Sequence, residues 1–290
     1  MHTTKRFLVH FGVMIESNCP LCGGSSATKF FKVHGPDHYL DLIGNDYESL
    51  ARFWVRCDEC GHRHNSVRLS IDELRVLYDR FRDQESRKET PDQYFDRITS
   101  LPFDQSENSQ KVALILFNIG GGLPEIATTQ SMIDIGCGGG VLINTLRSQL
   151  GDRWAFFGVE PTTSFAELAA RRTGANVVND NYRSGLFGRT KFDLATCCQV
   201  LEHLEKPCEF LSQIRLDLRE GAWLYLEVPD ESDFETLPAD HDRFMAQHIS
   251  YFGTDRLQRM LEAQGFVIGH SGVLKTVRGR NNLWFLAAAA

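Results

Sequence analysis

Met132-Ile133-Asp134-Ile135-Gly136-Cys137-Gly138-Gly139-Gly140 decides the fold of this chain. An apolar run carrying one acid gives way to a glycine-rich turn, and Val141, Leu142, Thr145 and Leu146 then recur at helical spacing. The predicted elements are a strand over Ser131–Ile135 and a helix over Gly140–Gln149. Glycines at such a junction let backbone approach a ligand closely and leave the amides of a helix N-terminus facing it. They fall at 136, 138 and 140, whereas a dinucleotide-binding Gly-x-Gly-x-x-Gly would need its third at 141, where Val141 stands.

Outward from that turn, strand and helix alternate. Trp154–Glu160 reads as a strand and Ser164–Arg172 as a helix; Asn176–Asn179 is short and β-like, and Phe192–Cys197 reads as a fourth strand. Phe210–Leu218 reads as a helix, Ala222–Val228 as a strand, and Thr254–Gln264 as a helix stopped by Gly265. Two β-like runs close the chain, Phe266–Gly269 and Asn282–Leu286, and Ala287–Ala290 reads as a frayed end. Alternation of this kind predicts an α/β, Rossmann-like fold: a mostly parallel sheet with helices on both faces. On the N-terminal side, Ser70 and Glu73 form a capping box ahead of Leu74, Leu77, Tyr78 and Phe81. Arg82–Asn108 is polar with Pro91 and Pro102 and reads as a linker with short helices, and Lys111–Ile119 is an apolar helix halted at Gly120-Gly121-Gly122. The expected division is 1–70, a metal module; 71–125, a helical linker; and 126–290, the α/β domain.

Composition narrows the function. The 290 residues are 42% hydrophobic and 24% charged, as in ordinary globular proteins. No apolar run approaches the roughly 20 residues of a membrane span. His10 and Glu16 interrupt the apolar Phe7–Phe11 stretch, and no small-residue cleavage site follows, so a cytoplasmic protein is expected. A net charge of −7 argues against a phosphate-gripping basic face, and so against nucleic acid as the partner.

Cys19-Pro20-Leu21-Cys22-Gly23 and Cys57-Asp58-Glu59-Cys60-Gly61 are two knuckles of metal-binding form. In a reducing compartment such pairs read as ligands before they read as bridges. Four thiolates around zinc make a closed structural site, with Cys19, Cys22, Cys57 and Cys60 as the ligands. His62 or His64 is an alternative ligand, although both read as exposed surface.

The chemistry-bearing residues lie at strand ends. Glu160 closes Phe157-Gly158-Val159-Glu160, where a carboxylate can accept both hydroxyls of a ribose. Asp180 follows the third strand and is placed to accept from an adenine amino group, with Asn179 or Asn181 as alternatives. Phe192-Asp193-Leu194 followed by Val200-Leu201-Glu202-His203, then Leu226-Glu227-Val228-Pro229 and Ser250-Tyr251-Phe252, complete the pattern. Together with Asp134-x-Gly136-x-Gly138-x-Gly140 it resembles the class I S-adenosylmethionine (SAM)-dependent methyltransferases from about Ser131 onward.

That resemblance implies a SAM cofactor with Asp134 orienting its methionine amino group. Gly136, Cys137, Gly138, Glu160, Asp180, Asn181 and Gln199 would complete the cofactor site. It also places His203 where the acceptor meets the methyl group, as general base, with His248 and Tyr251 as second candidates. A histidine's ordinary pKa, about 6.5, suits that work. A zinc module ahead of such a domain resembles the sugar C-methyltransferases that act on nucleotide-linked sugars. Those enzymes carry Tyr-x-Glu-His where this chain has Met245-Ala246-Gln247-His248, and glutamine cannot serve as a carboxylate base. The expected function is methyl transfer to a small molecule, such as a nucleotide-linked sugar or glycan precursor. An RNA methyltransferase and a non-catalytic SAM-binding scaffold are the alternatives.

Overall fold

Strands that are apolar without alternation must be buried on both faces, and they form the centre of the larger of two compact units. The computed structural model describes residues 14–15, 18–33, 38–43, 52–81, 88–120, 129–238 and 241–290. The Phe7–Phe11 run, Gly121 and Gly122 lie outside the described residues. One unit is drawn from Met1–Arg87 and Thr236–Ser250, the other from Lys88–Glu235 and Tyr251–Ala290. The stretch expected as a linker is thus shared between the two. Among the described residues no helix is long and apolar enough to cross a membrane.

In the first unit β1 (Ala27–Lys32), β2 (Phe53–Cys57) and β3 (Arg63–Asn65) pair antiparallel, with Ala27 opposite Cys57 and Arg56 opposite Arg63. Helices α1 (His38–Ile43) and α2 (Ile71–Phe81) pack Leu40, Ile43, Leu69 and Leu77 with Ala246 into a small apolar cluster. The capping box at Ser70 is present: its hydroxyl accepts from the Glu73 amide at 3.3 Å, and Glu73 Oε2 accepts from the Ser70 amide at 2.7 Å. Asn65 binds the chain on its return, donating from its backbone amide to Ile249 O.

In the second unit α3 (Pro91–Thr99) starts at a Thr90–Gln93 capping box with Pro91 in its first turn. Next come α4 (Glu107–Ile119), β4 (Gln130–Ile135), α5 (Val141–Leu150), β5 (Trp154–Val159), α6 (Thr163–Thr173) and β6 (Asn176–Val178). Then follow β7 (Phe192–Cys198), α7 (Pro207–Asp217), β8 (Leu218–Pro229), α8 (Thr254–Ala263), β9 (Phe266–Lys275) and β10 (Asn281–Ala289). Helix α4 begins one turn earlier than the apolar spacing alone predicts, because Ser106 caps it by accepting from the Ser109 amide.

The seven strands lie in the order β9-β10-β8-β7-β4-β5-β6. β8, β7, β4, β5 and β6 are parallel, while β10 pairs antiparallel with both β8 and the edge strand β9. Met132, Ile133, Leu194, Ala195, Leu224 and Leu226 are almost wholly inaccessible at its centre. The chain end corrects the sequence expectation. Ala287 and Ala288 do not fray: they pair with Leu224 and Trp223 on β8 in the last strand, and Ala287 and Ala289 are buried.

Candidate functional site

The β4–α5 turn is held from beneath by the neighbouring strand. The amides of Gly136 and Cys137 both donate to Val159 O at the end of β5, and Gly140 N–H closes the turn onto Cys137 O. Gly136, Gly138 and Gly140 have φ of 74°, 53° and 81°, the left-handed region open to glycine at little cost. Space is equally exacting at Gly136, where an added Cβ would lie 2.5 Å from Val200 Cγ2. Cys137 is buried beneath the turn, its sulfur where a Cβ on Gly158 would reach.

Three adjacent strands deliver polar groups to the same carboxyl edge of the sheet, the edge at which open α/β sheets bind ligands. Asp134 sits on β4, Glu160 directly follows β5 and Gln199 directly follows β7. Glu160 is buried, with Oε2 accepting from Gly138 N–H and Oε1 from Thr162 N–H, both at 2.9 Å. Asp134 accepts from Thr196 Oγ1 at 2.7 Å. Burial pushes its carboxyl up to about 7, against the Thr196 hydrogen bond and the positive charge of Lys111. Gln199 has a left-handed φ of 56°, unusual for a residue with a β-carbon and a frequent mark of functional sites.

Asp180 and Asn181 lie in the loop after β6. Asp180 pairs with Arg183 at 2.5 Å and is held below its ordinary value chiefly by that bond. Asn179 instead ties the loop to the end of β5, its side-chain amide donating to Glu160 O and Pro161 O. The loop is anchored farther on by Asp217, which accepts from Tyr182 OH and Ser184 Oγ at 2.9 and 2.7 Å.

Of the other sequence candidates, His203 ends a short 3-10 turn after β7, its side chain 20% exposed and its Nε2 3.8 Å from Glu202 Oε1. Tyr251, in the same unit, is fully buried with its ring edge-on to Phe234 at 5.0 Å. His248 belongs to the first unit, buried, with Nδ1 3.0 Å from Arg243 O.

A four-donor network beneath Gln199 escapes the sequence reading. Glu227 Oε1 receives Lys111 Nζ at 2.7 Å, Asn282 Nδ2 at 2.8 Å and Gln199 Nε2 at 3.4 Å. Its Oε2 receives Tyr225 OH at 2.8 Å. The available signal is an acid inside an otherwise apolar strand, Leu224-Tyr225-Leu226-Glu227-Val228.

In the first unit the four predicted cysteines converge, their sulfurs all within 4.8 Å of one another. Cys19–Cys60 and Cys22–Cys57 are each 3.6 Å apart, near the roughly 3.8 Å edge of a zinc–thiolate tetrahedron. Gly24 N–H donates to Cys22 Sγ at 3.4 Å. Burial pushes Cys57 up, but the amides of Cys60 and Glu59 outweigh it and leave the thiol below its ordinary value. The donor set fits zinc. His62 and His64 are not exposed, contrary to the sequence expectation: both are fully buried around β3 and neither joins the sulfurs. His62 Nε2 is 3.0 Å from Ser250 Oγ, and His64 Nδ1 is 3.3 Å from Asn65 O.

Comparison with known proteins places these features. A family model described as a methyltransferase domain matches residues 76–271. A ubiquinone biosynthesis O-methyltransferase of Paraburkholderia phymatum is 25% identical over 104 residues, which are 35% of this chain and 45% of that protein. The mitochondrial protein of that name from Schizosaccharomyces pombe is 29% identical over 106 residues, covering 34% of this chain and 38% of its own. The chain therefore spans less than half the length of these curated relatives. Among solved structures, magnesium protoporphyrin IX methyltransferase from Synechocystis PCC 6803, with bound SAH, superposes with a TM-score of 0.54. Its sequence identity is 17%, over 75% of this chain and all of that one.

Proposed function

Since the chain belongs to the methyltransferase-domain family, we propose that it transfers the methyl group of SAM to a hydroxyl of a small-molecule acceptor. The observation that carries this reading is the convergence of Asp134, Glu160 and Gln199 on a glycine turn whose amides are already fixed. When bound, SAM supplies a methyl group on a sulfonium, leaving the protein to align the acceptor and remove its proton. Asp134 holds the cofactor's ammonium. Glu160 takes the ribose hydroxyls with oxygens already oriented by Gly138 and Thr162. Asp180 and Asn181 serve the adenine end, and Cys137 and Gly138 line the turn.

His203 is the group we assign to accept the acceptor's proton, with His248 and Tyr251 as second candidates. The relatives named O-methyltransferases support an oxygen acceptor. Sugar nucleotides are the first acceptors to screen, because the chain is acidic and carries a zinc-type module. Zinc on Cys19, Cys22, Cys57 and Cys60 is part of the proposal, with a structural role. The two Cys-x-x-Cys pairs, read as metal ligands rather than bridges, support a reducing compartment, the cytoplasm.

Calorimetric titration with SAM and, separately, with NAD tests the cofactor; turnover on sugar nucleotides against RNA tests the acceptor. Micromolar SAM binding with no NAD binding is expected, and absence of SAM binding overturns the reading. His203→Ala is expected to keep SAM affinity and lose about 10²–10⁴ in turnover, as removal of a general base does. Unchanged turnover moves the role to His248 or Tyr251.

The affinity for SAM should also depend on pH. The folded protein holds Asp134 partly protonated near neutrality. An ammonium ligand favours the ionised carboxylate, so binding expels the proton. Affinity then rises about tenfold per pH unit below pH 7 and levels off above it. Calorimetry in buffers of different ionisation enthalpy reads the released proton directly. A flat affinity across pH 5.5 to 8 (about the span of interest) removes Asp134 from the ammonium.

A further inference from the structure

Gln199 adopts a conformation that its β-carbon disfavours, and one residue holds it there twice. Its amide donates to Glu227 O at 2.9 Å, and its side chain reaches Glu227 Oε1 at 3.4 Å. The next residue, Val200, lies directly over Gly136, the first glycine of the cofactor turn. Glu227 is itself anchored: it is fully buried, stands opposite Cys198 in the β7–β8 register and receives Lys111, Asn282 and Tyr225 as well as Gln199. A buried carboxylate that accepts from four side chains is held by its partners and holds them in turn, so it orders its surroundings. Lys111 comes from α4, outside the sheet, and its charge also acts on Asp134.

We propose that the buried Lys111–Glu227 pair is a positioning device that acts through Gln199 and Val200 to set the shape of the glycine turn, and with it the affinity for SAM. The proposal rests on the reading of that turn as the SAM site. Both residues act through others: neither is assigned a contact with the cofactor or the acceptor. The chain of contacts runs from helix α4 through the end of β8 to the end of β7, and only then to the ligand edge of β4.

The test is a cycle of SAM dissociation constants measured by calorimetry on the full chain, with melting temperature read alongside. Its members are wild type, Glu227→Gln, Gln199→Ala and the double variant. Glu227→Gln is expected to weaken SAM binding about tenfold or more, as losing a hydrogen-bonded charge does. The double variant should bind no more weakly than Gln199→Ala, because the two act as one unit. Should Glu227→Gln fail to fold, Lys111→Met with Glu227→Met removes both charges together, a replacement that buried pairs often tolerate. It should fold and bind SAM about as weakly as Gln199→Ala. Wild-type affinity in a folded variant, or effects of Glu227 and Gln199 that multiply, overturns the positioning role and leaves the SAM reading standing. A wild-type protein that binds no SAM overturns both.

Discussion

Removing the metal from Cys19, Cys22, Cys57 and Cys60 is expected to unfold the first unit while the seven-stranded sheet stays folded. The four sulfurs join two hairpin-like knuckles, while the apolar residues described in this unit are divided between the cluster of Leu40, Ile43, Leu69, Leu77 and Ala246 and others such as Trp54, Val67 and Phe244. Cys19 and Cys22 precede β1 and Cys57 ends β2, so the metal would tie together the ends of paired strands. Structural zinc in small domains contributes on the order of 10–16 kcal/mol of apparent binding energy, which is then folding energy. The measurement is hydrogen exchange on the purified protein before and after chelation, with released zinc assayed on the same sample. Strands β1, β2 and β3 should lose protection, while β4, β7 and β8 keep theirs. Cys57→Ser should reproduce the effect without chelator. Protection retained in β1–β3 after the metal is gone, or one equivalent of zinc never found, rejects a structural zinc site.

Gly136→Ala is expected to weaken SAM binding by roughly 10²-fold or more. The left-handed backbone there costs a residue with a β-carbon roughly 1–2 kcal/mol. The new methyl would also stand 2.5 Å from Val200 Cγ2, an overlap that must be relieved by movement costing about 1–3 kcal/mol. The turn has little freedom to yield, since the Gly136 and Cys137 amides are both committed to Val159 O. The sum corresponds to a loss of roughly 10²-fold or more in affinity if it falls on the ligand-competent turn. A second substitution separates the two causes. Val200→Ala removes the clashing methyl, so the double variant should regain part of the affinity while the backbone cost remains. Full affinity in Gly136→Ala would mean that the cofactor does not use this turn.

How much of this is legible in the sequence depends on how far apart the interacting residues are along it. The glycine turn, the acid ending β5 and the two cysteine knuckles are local patterns, visible because each feature needs only neighbours within a few residues. His62 reads as surface, yet its burial depends on Ser250, 188 positions away. Nothing near a short polar strand tells that a returning segment will cover it. Ala287–Ala289 reads as a loose end for a related reason: alanine carries little hydrophobic signal, and its partners Trp223 and Leu224 lie on another strand. The Glu227 network needs α4, β7, β8 and β10 at once, so only the oddity of an acid in an apolar strand hints at it. Helix α3 falls in the polar stretch read as a linker with short helices, its start signalled by Thr90, Pro91 and Gln93 rather than by apolar spacing.

The first unit is discontinuous, completed by Thr236–Ser250. On the ribosome this imposes an order of events. The knuckles and β3 emerge early, yet Asn65 waits for Ala246, His248 and Ile249 to be synthesised before its amide and side chain find their acceptors. At about 5–20 residues per second that delay is on the order of ten seconds or more. By then β4 to β8 have already emerged, so the later-encoded sheet has the opportunity to fold before the unit that precedes it is finished.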